Sequence, residues 1–218
     1  MHIWSMWLDA IQWMLGMLSS EAGMGLGLAI VLGTLILRSL LLPISWSIAY
    51  RNLIRSMKLR RLKPRLEELR RRFRDRPEVY LQKMTALYRS HDLAVIDNRS
   101  LLGAAVQMPL LMGMYQVLRR VGEGVRFLWV PNLLKPDIVL ALLVAVSTAL
   151  MMALTPDMAQ QLRLVMIIIP AIIAFIIAVK FSSALALYLA TSNVYSAVQS
   201  CALQCVIRRQ VRSGEIRI

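Results

Sequence analysis

Charged residues are scarce in this chain of 218 residues. They make up 17% of it, whereas 58% of the residues are hydrophobic, and an average soluble domain carries about 25% charged residues. A soluble globule could not cover that much apolar surface with so few polar side chains. The composition therefore indicates an integral membrane protein and excludes disordered, collagen-like and secreted disulfide-rich chains.

Cysteine and histidine are rare too, with two of each. The spacing of Cys201 and Cys205 favours two small residues on one helix face over a metal or redox pair. His2 and His91 lie outside the long apolar segments, and no acidic residue lies inside one. The sequence has no phosphate-binding loop and no metal-binding motif. We therefore expect no catalytic residue, no enzyme activity, no cofactor and no metal.

Long apolar segments dominate what is present. A helix that crosses a bilayer needs about 20 apolar residues, and five segments approach or reach that length. They predict an all-α integral membrane protein with five transmembrane helices. The predicted spans are residues 24–45, 101–118, 138–154, 164–180 and 184–207, joined by 46–100, 119–137 and 155–163 and followed by a basic tail, 208–218.

The first segment, 1–23, has no basic start and no small-residue cleavage site, which argues against a signal peptide. Apolar residues recur every three or four positions, opposite a polar stripe, and three tryptophans suit the headgroup region. We expect an amphipathic helix lying in the external membrane interface, with a weak additional span as the alternative. The apolar stripe comprises Trp4, Trp7, Leu8, Ile11, Leu15 and Leu18.

Basic residues concentrate between the first two predicted spans. Residues 51–100 hold 15 of the 26 lysines and arginines. Leucines spaced three and four apart predict a helical hairpin that turns near Pro77. Its candidate partners are anionic lipid, ribosomal RNA and acidic protein. The predicted recruitment surface comprises Arg60, Arg61, Lys63, Arg70, Arg71, Arg72 and Arg74.

The distribution of cations also predicts the orientation. If the N-terminus lies outside, the cytosolic segments carry 20 cations and the external segments carry five. Cytosolic loops of membrane proteins are the ones enriched in lysine and arginine. The N-terminus is therefore predicted outside, with the hairpin and the C-terminus in the cytosol.

Arg38 is the one charge in the interior of a predicted span, since Lys180 lies at the very end of the fourth span. Its burial at membrane depth costs at least about 2.5–3.5 kcal/mol, and no acidic residue in any span could pair with it. Either it snorkels to the cytosolic headgroups, or it lies in a water-filled cavity open to the cytosol and meets an anionic partner there. Polar residues that could line such a cavity are Thr34, Gln107, Gln116, Thr191, Ser192, Asn193, Ser196 and Gln199.

Several motifs resemble the YidC/Oxa/Alb family of membrane protein insertases. The resemblance covers nearly the whole chain, although Leu189 stands where the family often has tryptophan, and residues 149–152 lack its common glutamines. The matching motifs are Leu35-Ile36-Leu37-Arg38 with Pro43, Gln107-Met108-Pro109-Leu110 with Tyr115, Phe127-Leu128-Trp129, Leu187-Tyr188, and Thr191-Ser192-Asn193.

The resemblance implies an insertase in the bacterial inner membrane. Arg38 would attract polar or acidic residues of a client membrane protein into a hydrophilic groove that opens to the cytosol. Anionic lipids would contact the hairpin, with the ribosome, a targeting receptor or the Sec translocon as candidate partners and no role for DNA. Two alternatives stay open at this point: an assembly chaperone for helices already inserted, and a small transporter or channel.

Overall fold

The computed structural model describes residues 2–21, 25–74, 76–91, 98–121, 125–154 and 163–213. Within these ranges the chain is almost entirely helical outside the segment 125–137, where a single bridge between Phe127 and Val130 is the one strand-like pairing. The predicted all-α fold is therefore confirmed. The helices are α1 (His2–Gly16, followed by a π-helical turn, Met17–Glu21), α2 (Gly25–Leu40), α3 (Leu42–Arg72), α4 (Pro77–Arg89), α5 (Asn98–Val121), α6 (Ile138–Ala153), α7 (Arg163–Lys180) and α8 (Ser183–Arg212).

The first predicted span is broken where α2 meets α3. The two helices meet at an angle of 64°, although backbone hydrogen bonds from Leu41 to Leu37 (3.1 Å) and from Ser45 to Leu41 (2.9 Å) continue through the bend. Pro43 lies in the first turn of α3. Because proline has no amide hydrogen and its ring collides with the carbonyl four residues earlier, a straight helix cannot continue through this position.

A single helix that crosses a bilayer must be both long and apolar. No single helix in the described residues meets the requirement, whereas α2 and α3 meet it together as a bent pair. Helices α6 and α7 are apolar but shorter. The number and bounds of the five spans stay predictions, and most of the predicted loop 155–163 and the end of the tail, 214–218, lie outside the described residues.

Helix α1 packs into the bundle along its apolar stripe. Leu8, Ile11 and Leu15 are buried, and the indole nitrogen of Trp7 donates to the carbonyl of Pro109 in α5 (3.2 Å). The stripe thus contacts protein, whereas Trp13, which lies outside it, is 70% exposed. A lipid-facing position for α1 therefore depends on residues such as Trp13 rather than on the stripe.

Helix α8 is the central element of the apolar core. Six consecutive residues at its start, 183–188, are buried, and it packs against α2 and α6. The segment before α6 fixes this end, because the amides of Ser183 and Ala184 donate to the carbonyls of Lys135 (3.1 Å) and Leu133 (2.9 Å). Asp137 caps α6 by accepting from the amide of Leu140 (2.8 Å).

The region predicted as the basic hairpin is formed by the second half of α3 together with α4. Helix α4 packs against α3, and Pro77 opens α4 at its first turn, where a missing amide hydrogen costs nothing. Leu62 is buried, with only 4% of its surface exposed. Whether this hairpin lies in the cytosol stays a prediction.

Replacement of Gly113 by alanine should loosen the contact between α1 and α5. A Cβ at this position would lie 2.7 Å from the Trp7 indole nitrogen and 2.9 Å from Ile11 Cδ1, and Trp7 cannot shift without losing its bond to Pro109. We expect a loss of about 1–3 kcal/mol, measured as a lower Tm in detergent. Gly16→Ala is the matched control, because its Cβ would meet nothing within 4 Å; an equal Tm for both variants would contradict the packing.

Candidate functional site

Arg38 lies in the last turn of α2, directly before the bend. Its guanidinium donates from Nε to the hydroxyl of Ser192 in α8 (2.9 Å), and Nη2 donates to the same oxygen. Within the described part of the chain this neutral hydroxyl is the side-chain partner of the charge, and no carboxylate is. The arginine is half-buried, so its charge lies at the edge of the apolar core without a counterion.

A cavity of about 310 Å³ opens beside Arg38 at the bend. Helices α2, α3, α5, α6 and α8 all contribute to its wall, which combines polar and apolar side chains. The lining residues are Arg38, Leu41, Ser45, Ile48, Ala49, Asn52, Gln107, Leu110, Met151, Ser196, Gln199 and Ser200. Such a wall can hold water and can solvate an arginine that has no carboxylate beside it.

One side of this cavity lacks close packing between helix backbones. Helix α5 packs against α1, α3 and α8, whereas among the described residues none of its Cα atoms lies within 8 Å of a Cα atom in α6 or α7. Yet Gln107 of α5 and Met151 of α6 both line the cavity. The cavity is therefore bounded by α5 on one side and by α6 on the other, without a helix-to-helix seal between the two.

The structure collects four of the predicted groove residues in the cavity wall, and Ser192 joins them through Arg38. These four are Arg38, Gln107, Ser196 and Gln199. The amide of Gln199 also donates to the hydroxyl of Ser45 (3.2 Å). That contact ties α8 to the start of α3, so the cavity wall is braced across the bend.

The other predicted groove residues lie elsewhere. The hydroxyls of Thr34 and Thr191 donate to carbonyls of their own helices, of Ile30 (2.6 Å) and of Leu187 (2.8 Å), which leaves them no free donor. The amide of Asn193 donates to Thr148 of α6 (2.8 Å) and to Ser147 (3.3 Å). Gln116 is absent from the cavity wall because it lies nine residues, about 13 Å, along α5 from Gln107.

Sequence reasoning missed three polar residues of the wall: Ser45, Asn52 and Ser200. Because the first span is predicted to stop at residue 45, Ser45 falls at its end and Asn52 falls in the predicted hairpin. A usable signal was present, because residues 38, 45 and 52 follow each other at steps of seven and so return to one helix face. Ser200 follows Ser196 by four residues, which also places the two on one face.

The predicted recruitment surface is exposed along α3. Arg60, Arg61, Lys63, Arg70, Arg71 and Arg72 lie within the helix, and Arg74 follows its end. On the other side of the same region, Leu53 packs against Leu203 and Ile207 of α8, and the hydroxyl of Tyr50 donates to Gln210 (3.2 Å). The basic side chains are thus carried by a helix that is attached to α8 at its base.

The sequence is similar to known proteins over most of its length. The profile of a family described as "60Kd inner membrane protein" matches residues 17–211. The chain is 29% identical to a membrane protein insertase YidC of Francisella philomiragia over 88% of this chain and 34% of that protein. A relative of the same name from Oceanobacillus iheyensis is 26% identical over 87% of this chain and 79% of that protein.

These matches differ in how much of the relative they cover. The chain spans about a third of the length of the Francisella protein and of a relative from Helicobacter pylori. The matched family is not an enzyme family, which agrees with the prediction that the chain is not an enzyme.

A cysteine placed in the cavity wall should react with a water-soluble maleimide. We expect Ser196→Cys to label at least tenfold faster than Ala197→Cys, because Ser196 lines the cavity whereas Ala197 is buried. Both are tested with Cys201 and Cys205 replaced by serine, since both native cysteines are exposed. Mass spectrometry of the reconstituted protein follows the rates, and equal rates would show that the cavity holds no accessible water.

Proposed function

Because the chain belongs to the 60Kd inner membrane protein family, we propose that it inserts client transmembrane segments into the bilayer through the cavity beside Arg38. The resemblance to YidC/Oxa/Alb insertases is thereby confirmed at the level of the family. One observation supports the use of this cavity: an arginine with no counterion among the described residues lines a partly polar space of about 310 Å³.

The electrostatics of the cavity favour an acidic or polar client segment. A carboxylate of the client would give Arg38 the charged partner that the described residues do not provide, and a bond between two ionised groups is about twice as strong as one between neutral groups. The amide and hydroxyl groups of Gln107, Ser196 and Gln199 would replace part of the water around a peptide segment. A short external tail of the client could thus enter the membrane at reduced cost.

Release into lipid would follow on the side between α5 and α6. The lack of close backbone packing between these helices in the described residues supports a lateral path there. The exposed side chains of α6 and α7 beyond it are apolar, among them Leu142, Val146, Ile172 and Ile176. A client's apolar span gains free energy on moving from a polar cavity to such a surface or to lipid.

The orientation and the five spans belong to the same proposal. We place α1 and the segment 125–137 outside, and α3 beyond the bend, α4 and the end of α8 in the cytosol of a bacterium with this protein in its inner membrane. The bent pair α2–α3 supports a first span that enters the cytosolic surface at an angle. The Gln199–Ser45 contact would then lie near that surface.

Insertion should depend on the charge of Arg38. We expect Arg38→Ala to insert a single-span client with a short acidic external tail at least tenfold less than wild type, with Arg38→Lys in between because ammonium keeps the charge but not the planar fork. Protection of the tail from protease in liposomes is the readout. Arg126→Ala is the control, since Arg126 is exposed and outside the cavity.

Two results would redirect this proposal. If Arg38→Ala inserted the acidic client as well as wild type, at equal protein content in the liposomes, the cavity mechanism would be wrong. If wild type gave no insertion above empty liposomes but crosslinked to helices already inserted, the chain would act as an assembly chaperone.

The recruitment surface should bind anionic membranes in a salt-dependent way. With the full chain in neutral nanodiscs, we expect glutamine at Arg70, Arg71 and Arg72 to weaken binding to phosphatidylglycerol vesicles, because each cation near such a surface contributes about 1 kcal/mol. Flotation at increasing salt concentrations is the measurement. The same change at Arg119 and Arg120, at the other end of the fold, should leave binding unaltered; equal losses would point to net charge alone.

A further inference from the structure

We propose that Ser192 is the positioning residue that holds one edge of the Arg38 guanidinium and presents the opposite edge to an acidic client segment. This inference rests on the proposed function and adds a second residue to it. It starts from an observation that the cavity alone does not explain: two nitrogens of Arg38, Nε and Nη2, donate to the same oxygen.

The geometry divides the guanidinium into a bound edge and a free edge. Arginine has five N–H donors in a rigid plane, and two of them point to Ser192. The remaining three, two on Nη1 and one on Nη2, have no side-chain or backbone acceptor among the described residues. The N–H groups of Nη1 and Nη2 on this free edge are spaced to bind both oxygens of one carboxylate.

Ser192 is well placed to fix the orientation of this plane. It is 1% exposed, and it sits in the middle of α8, whose backbone is held against α2 and α6. Its neighbour one turn on, Ser196, instead bonds its own helix at the carbonyl of Ser192 (3.0 Å). A long arginine side chain otherwise loses rotamer freedom when a ligand fixes it, so a partner within the protein that fixes it beforehand strengthens binding of the client.

The choice of a hydroxyl matters as much as its position. A carboxylate at residue 192 would neutralise Arg38 permanently, and an apolar side chain would leave both edges unfixed. The serine oxygen accepts two hydrogen bonds and leaves the positive charge intact. We therefore assign to Ser192 the role of orienting Arg38 without consuming its charge.

The test compares two clients that differ in one charge. Acidic and neutral versions of one single-span client, with aspartate or asparagine in the external tail, carry a photo-crosslinker and are added to the full chain in phosphatidylethanolamine–phosphatidylglycerol liposomes. For Ser192→Ala we expect crosslinking of the acidic client to fall about three- to tenfold, as for loss of one hydrogen bond of typical net strength, with the neutral client unchanged. Ser192→Asp should abolish the preference for the acidic client.

Two controls separate orientation from mere packing. Ser192→Thr keeps the hydroxyl and should retain the preference, and Ser200→Asp places a carboxylate elsewhere in the cavity wall and should reduce the preference less than Ser192→Asp. In Arg38→Lys, removal of the Ser192 hydroxyl should have little further effect, because an ammonium has no planar edge to orient. Should Ser192→Ala fold poorly, Ser192→Cys supplies a similar volume with a weak acceptor.

The outcomes distinguish this inference from the proposed function. If Arg38→Ala lowers crosslinking of the acidic client but Ser192→Ala and Ser192→Cys lower both clients equally or neither, Ser192 does not orient Arg38 and the cavity mechanism stands. If Arg38→Ala itself has no effect, the proposed function fails first. If Ser192→Ala raised crosslinking of the acidic client, the inference would be wrong. The serine would then compete with the client for the Arg38 guanidinium.

Discussion

A positive charge with no counterion among the described residues, held at the edge of an apolar core, is the constraint on which the site depends. Arg38 can remain there only if its donors are satisfied by neutral groups or by water. Ser192 provides a protein acceptor, and the cavity provides space for water. The cavity depends on the bend at Leu41, because a straight continuation of α2 would carry Ser45 and Asn52 away from it.

The helical class and the importance of Arg38 could both be predicted from the sequence, and the reason is physical. Apolar periodicity and the free energy of placing charge in hydrocarbon are local properties that can be read along a single chain. Arg38 stood out because every other charge lies outside the apolar segments or, like Lys180, at the end of one. The family then followed from motifs around it, such as Pro43 and Thr191-Ser192-Asn193.

The sequence could not predict which polar residue meets which. Asn193 and Gln199 are six residues apart on α8, yet the first bonds α6 and the second bonds the start of α3. Their partners depend on how α8 is rotated between its neighbours, which no local pattern encodes. In the same way, an apolar stripe on α1 could face either lipid or protein. Periodicity therefore could not show that Leu8, Ile11 and Leu15 are buried against the bundle.

Because α3 is attached to α8 beside the cavity, the hairpin is fixed at its base and can tilt at its far end. Packing onto Leu203 and Ile207 extends along α3 as far as Met57. The remaining 15 residues to Arg72 form an arm of about 22 Å, so a tilt of about 10° sweeps its end through about 4 Å. The end of the hairpin can therefore move by several ångströms while the distances between Arg38, Ser45 and Ser192 stay nearly constant. Those distances are the ones that the position of the Arg38 guanidinium depends on.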